Sequence, residues 1–165
     1  MLVNNAGMHF GPPPPVTEEP TEQMLQILNV NALGPVRVTQ ALLPLLRKAE
    51  GARVVMITSG LGSITETLQL TSENWNVGFA GYCASKAALN MLTVKFAKEL
   101  ADEGIRVNAV DTGLTHTDLG GEFAEQPASD GAKVAVELAQ IDAFGPTAGY
   151  FINRSADKLP RQHCW

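Results

Sequence analysis

The chain alternates short apolar runs with long stretches of helical periodicity. Residues 1–3 are apolar, with no polar alternation before Asn4 and Asn5. Residues 53–58 and 105–110 have the same character, and residues 150–152 add a short fourth run. Runs of this kind read as strands buried on both faces, which belong inside parallel sheets. Between the first two runs, apolar positions from Met24 to Leu46 recur at helical spacing. Thr21 is placed to cap that helix, Pro35 should bend or restart it, and residues 50–52 should end it. A second long helix is expected from Tyr82 to about Glu103, closed by Gly104, and a short one over 132–138. Strands alternating with helices make the chain α/β. The expected sheet is parallel, built from residues 2–5, 54–58, 106–110 and 150–152 in that spatial order.

The intervening segments differ in character. Gly7 leads into four consecutive prolines, Pro12 to Pro15, which predict an extended surface segment. Residues 59–63 are rich in Ser and Gly, residues 64–77 form a long polar stretch, and residues 120–129 read as mobile. Residues 156–165 read as a tail on a single domain of 165 residues.

A net charge of −5 argues against nucleic acid or an anionic membrane surface as partner. No apolar run reaches the roughly 18 residues that span a bilayer. Two cysteines, Cys83 and Cys164, make no disulfide framework, so a cytoplasmic protein is expected. His9, His116 and His163 show no ligand spacing; they read as surface residues, and no metal is expected.

The candidate chemistry centres on Tyr82 and Lys86. Four residues apart, they share one helix face. An ammonium beside a phenol favours the ionised form and should lower its pKa, making the tyrosine a proton donor and acceptor. Ser59 lies at the C-terminal end of the second strand. Asn4 to Gly7, residues 59–63, the start of the Tyr82 helix and residues 112–117 should share that edge of the sheet, where open α/β sheets bind ligands.

Asn4, Asn5, Ala6 and Gly7, then Asn29, Val30, Asn31 and Ala32, then Ser59, then Tyr82 with Lys86, then the loop at Gly113, together resemble the short-chain dehydrogenase/reductase family. The order and spacing hold to about residue 152. The long Ser59-to-Tyr82 interval and residues 142–151 resemble its carbonyl-reductase-like group. The resemblance implies a Rossmann-like doubly wound fold and a hydride exchange between a carbonyl or alcohol substrate and NADP(H), with NAD(H) left open. It implies Tyr82 as general acid or base, Lys86 as its pKa modifier and ribose ligand, Ser59 on the substrate oxygen, and Asn31 holding a water. Asn4, Ala6 and Gly7 would line the adenosine side of the cofactor. Gly113, Thr115 and Thr117 would meet the nicotinamide end and the phosphates. The helices at 21–48 and 82–103 would form a homo-oligomer surface.

Two departures stand out. The first three strand–helix units of such a fold, with their glycine-rich pyrophosphate turn, have no counterpart in this sequence, which reads as the C-terminal part of the fold. Thr112 stands where the family usually has proline, and should loosen its loop. The alternative to an oxidoreductase is a catalytically silent module that binds partners through its two long helices. A serine hydrolase fails, because no G-x-S-x-G elbow surrounds Ser59.

Overall fold

The computed structural model describes residues 1–72, 74–122, 124–153, 161, 162 and 165. Strands β1 (Leu2–Asn4), β2 (Arg53–Thr58), β3 (Arg106–Asp111) and β4 (Tyr150–Ile152) lie side by side in that order, all parallel, as the hydrophobic pattern predicts. A fifth strand, β5 (Arg161–Gln162), pairs antiparallel with β4. It falls within the stretch read as a tail, and the Trp165 ring stacks on Tyr150 at 5.6 Å between centroids. His163 and Cys164 lie outside the described residues.

Side chains alternate across the sheet. Val54, Met56 and Val107 face one side, where they meet Leu89, Ala97 and Leu100. Val55, Val110 and Phe151 face the other, against Val134 and Leu138. A fully buried Val, Leu, Met or Phe side chain contributes about 1.5–3 kcal/mol. Helices therefore cover both faces, and the fold is a doubly wound, Rossmann-like α/β sheet.

The first helical stretch is three segments. Helix α1 (Thr21–Leu28) is followed by a π-helical turn, Asn29–Leu33, and then by α2 (Gly34–Leu46). Thr21 is the first helical residue rather than the cap: Pro20 takes that place, and its carbonyl accepts from the Gln23 and Met24 amides. Pro35 sits in the first turn of α2, where its missing N–H costs nothing. Helix α2 stops at Leu46, short of residues 50–52. After the short α3 (Ile64–Thr67) comes α4 (Ala80–Leu100), then a 3-10 turn, Ala101–Glu103. Gly104, at φ 73°, closes it in the left-handed region that glycine adopts freely. Helices α5 (Ala128–Gly131) and α6 (Lys133–Gln140) complete the second layer. Among the described residues no helix is long and apolar enough to cross a membrane.

Candidate active site

The C-terminal ends of β1, β2 and β3 converge on the N-terminal half of α4. Ser59 follows β2 in extended backbone, and its Oγ accepts from the Leu61 amide at 3.3 Å. That bond orients the hydroxyl at the head of a tight 3-10 turn, Gly60–Gly62. The turn lies directly on α4: a Cβ on Gly62 would stand 2.7 Å from the Lys86 carbonyl carbon and 2.9 Å from the Ala87 nitrogen. Gly62 is thus a close-approach glycine, not merely a turn residue. The approach brings the Ser59 hydroxyl beside the Tyr82 phenol, near enough to pull the phenol's pKa down.

Lys86 is 2% exposed, and its Nζ donates to the Ile57 carbonyl at 2.8 Å. The same Nζ lies 5.4 Å from the Tyr82 ring centroid. An ammonium has three donors, and the Ile57 carbonyl takes one. Burial pulls its pKa down to about 8, opposed by the Asp111 carboxylate. The Tyr82 phenol is pushed up to about 12, first by burial, then by Asp111, against the pull of the Ser59 hydrogen bond. The lowering expected from Lys86 is therefore not found. Loss of solvent around the ring and the negative charge of Asp111 outweigh an ammonium that is itself engaged by a backbone carbonyl.

Asn31 is fully buried in the π-helical turn. Its Oδ1 accepts from the Met8 amide at 2.8 Å, and its Nδ2 donates to the Met8 carbonyl at 2.9 Å and the Ser85 hydroxyl at 3.0 Å. Both amide hydrogens are spent, so Asn31 fastens the loop after β1 to α4. Gly7 lies between the two polar groups: a Cβ there would be 3.5 Å from Lys86 Nζ and 3.7 Å from Asn31 Oδ1.

The other candidate ligands are more scattered. The Asn4 side chain turns inward, donating to Thr39 Oγ1 at 3.1 Å and Met56 Sδ at 3.2 Å, so it offers a ligand only main chain. Ala6 is exposed beside Gly7. Gly113 adopts φ 70° and donates its amide to Asp111 Oδ1 at 2.9 Å. Thr115 Oγ1 donates to the Gly113 carbonyl at 3.0 Å and accepts from Gln126 Nε2 at 2.9 Å. Thr117 Oγ1 donates to the Thr115 carbonyl at 3.3 Å and accepts from the Gly120 amide at 3.1 Å. Both threonines brace their own loop. No hydrogen bond joins either to Tyr82 or Lys86 among the described residues. The Thr112 carbonyl accepts from Gln126 Nε2 at 2.7 Å.

Two site residues escape a reading by motif. Asp111, the last residue of β3, pairs in register with Thr58, one residue before Ser59. Its Oδ2 accepts from the Gly60 amide at 2.9 Å while Oδ1 holds Gly113, so one carboxylate ties the Ser59 turn to the Gly113 turn. The strand register was the available signal. His9, read as a surface residue, packs its ring edge-on against Phe79 at 4.8 Å and Tyr82 at 6.0 Å. Its Nε2 donates to the Leu119 carbonyl at 3.0 Å. Nothing in the spacing of the histidines shows this. Among the described residues no group of three His, Cys, Asp or Glu side chains could hold a metal ion.

The family model for short chain dehydrogenase matches residues 1–128. The chain belongs to the short-chain dehydrogenase family. A relative of nearly the same length, "C-signal" of Myxococcus xanthus, is 34% identical over 161 residues, covering 97% of this chain and 91% of that one. Human retinol dehydrogenase 5 is 42% identical over 118 residues, 70% of this chain but 32% of its own. Among solved structures, the NADPH-bound carbonyl reductase from chicken fatty liver superposes with a TM-score of 0.78 at 26% identity, covering 91% of this chain and 61% of that one. Carbonyl reductase Sniffer of D. melanogaster gives 0.80 at 25% identity, covering 92% and 63%. The chain thus spans under two thirds of the length of these carbonyl reductases.

Proposed function

We propose that this chain carries the proton-handling centre of a nicotinamide-dependent oxidoreductase that interconverts a carbonyl and an alcohol. The observation that supports this reading is the Ser59 hydroxyl beside the Tyr82 phenol, with the buried Lys86 ammonium 5.4 Å from the ring centroid. Two hydroxyls so placed can both reach one substrate oxygen.

The residues at the nicotinamide end fit the cofactor. Lys86 retains donors beyond the one given to Ile57, and Gly7 leaves room beside it. Lys86 would hold the ribose, and Gly7 and Gly113 would let backbone approach the ring. When bound, NADP(H) supplies or accepts the hydride; NADPH and NADP in solved relatives favour it over NAD(H).

The chain's own residues do the rest. Ser59 holds the carbonyl oxygen. Tyr82, protonated at neutral pH, gives its proton as negative charge grows on that oxygen. An alkoxide is a stronger base than a phenolate whose acid stands at about 12, so the transfer runs downhill. The Lys86 charge over the ring then stabilises the phenolate left behind. In the oxidative direction the same groups run in reverse. Ser59→Ala should lower kcat by about 10²-fold, the scale of losing one preorganised donor to the developing charge. Steady-state kinetics on the protein expressed from its own gene, with NADPH and an uncharged ketone, checks this. An unchanged kcat would remove Ser59 from the site.

A second reading is a catalytically silent interaction module. It is favoured by the match to "C-signal" over almost the full length of both chains. Leu25, Val38, Leu45 and Met91 stand exposed on the long helices and would be its binding face, or that of a homo-oligomer. Sedimentation of the chain and of Leu45→Lys separates the two. Self-association lost on Leu45→Lys, with no ketone reduction in either protein, favours the module.

A further inference from the structure

Tyr82 has a second neighbour besides Ser59. One face of it lines a cavity of about 380 Å³, in the size range of small-molecule sites. The walls come from three elements. The loop after β1 gives His9, Phe10 and the prolines 12–14; α1 gives Gln23 and Ile27; the residue before α4 gives Phe79. Phe10, Phe79, Ile27 and the prolines give the cavity an apolar side, facing the polar side chains of His9, Gln23 and Tyr82. The cavity is also preformed. Proline fixes the loop backbone, and Pro13 rests on Gly78, where a Cβ would meet Pro13 Cγ at 2.8 Å. Phe79 is held at φ 62°, a left-handed conformation that costs a non-glycine residue free energy. Its ring is locked against His9, which is itself fastened to Leu119.

The charges on the wall are one-sided. Glu18 and Glu19 line the cavity, and among the described residues no lysine or arginine does. Glu19 accepts from the Gly81 amide through both carboxylate oxygens at 3.1 Å, so the first turn of α4 partly offsets it. Glu18 is exposed at the rim with no ion-pair partner among the described residues. A carboxylate ligand would meet like charge and no cation among the described residues.

We propose that this cavity is the subsite for the body of the substrate, and that it selects compact, uncharged carbonyl compounds with an aromatic or aliphatic group while rejecting anionic ones. The inference rests on the reading of Tyr82 as the residue that holds the reacting oxygen. The carbonyl would sit at the Tyr82 and Ser59 hydroxyls and the apolar group among Phe10, Phe79 and the prolines.

The test uses a matched pair of probes, acetophenone and 4-acetylbenzoate, on the 165-residue chain, with binding read to millimolar Kd by saturation-transfer NMR. Acetophenone should bind at least about tenfold more tightly than 4-acetylbenzoate, and Glu18→Gln should narrow that gap about threefold or more. Gln23→Trp and Phe10→Trp fill the cavity from two different walls. Each variant that retains the wild-type circular dichroism should weaken acetophenone about tenfold or more. Equal binding of the two probes, binding of neither, or acetophenone binding unaffected by both tryptophans would overturn the proposal. The catalytic reading is judged separately. If the probe pattern holds but the protein expressed from its own gene reduces no ketone with NADPH, the catalytic reading fails and the subsite stands. If it reduces ketones but prefers the carboxylate, the subsite fails and catalysis stands.

Discussion

A phenol that keeps its proton to about pH 12, on one helix face with an ammonium that titrates near 8, is set by burial and by a single carboxylate. Asp111 raises both groups, so Asp111→Asn should lower both pKa values while keeping one acceptor for the two amides it holds. The chain has two tyrosines, so tyrosinate absorbance, with Tyr82→Phe subtracted, reads Tyr82 alone. Its midpoint should fall in Asp111→Asn; an unmoved midpoint would remove Asp111 from the electrostatics of the site. Lys86 leaves a mark on stability too. Unfolded, it keeps its proton to 10.5, and folded only to about 8. Between these values the unfolded chain binds more protons, so this group's contribution improves as pH rises from about 8 to 10.5. Below pH 8 the cost of burying the ammonium is fully present. Lys86→Met should therefore melt above wild type at pH 7, with an advantage that shrinks by pH 10. Tyr82 acts oppositely, its contribution falling from pH 10 to about 12. The spacing of Tyr82 and Lys86 was legible because helix geometry makes it so. The direction of the phenol's shift was not, because desolvation and Asp111 act through tertiary structure.

At the scale of elements, two irregularities hold the site. The π-helical turn points Asn31 into the core, where it satisfies both main-chain groups of Met8. Asn31→Ala leaves those two groups without this partner, and should cost about 2–6 kcal/mol in urea unfolding, at 1–3 kcal/mol for each unsatisfied group. A loss below about 0.5 kcal/mol would show that water replaces the amide. The 3-10 turn after β2 touches the α4 backbone through Gly62, so Gly62→Ala must push the two apart. Overpacking of this kind costs about 1–3 kcal/mol, and here it should also lower kcat by moving Ser59 from Tyr82. The sequence signalled the break at Pro35 and the glycines at 60 and 62. It did not signal the π turn or the close approach, which arise from how β1, α1 and α4 pack. Strand positions were legible because four apolar runs flanked by glycine and polar clusters leave few alternatives.

For the whole molecule, the proposed function asks the described residues to supply the nicotinamide end of a dinucleotide site. The N-terminus of α4 is the long-helix start nearest the site, and the Glu19 carboxylate already occupies it. A pyrophosphate finds no free helix N-terminus there. Two or three charge-assisted hydrogen bonds forgone, at roughly 1.5–3 kcal/mol each, weaken affinity by about two to six powers of ten. Titration calorimetry of the 165-residue chain with NADPH at micromolar concentration should show no binding, and tight binding would mean that the affinity does not come from a helix N-terminus at the pyrophosphate. The sheet order, both helical layers and the convergence of Ser59, Tyr82 and Lys86 followed from pattern and resemblance. The cavity beside Tyr82 did not, because it is made by a proline loop whose path no periodicity encodes. The central claim is that Tyr82 is the proton donor. The measurement that tests it most directly is single-turnover reduction of an uncharged ketone by NADPH, comparing wild type with Tyr82→Phe in the protein expressed from its own gene. Losing a general acid costs about 10²–10⁴-fold, so the account predicts a rate constant lower by that factor with the ring packing kept. A Tyr82→Phe rate within a few-fold of wild type would contradict it.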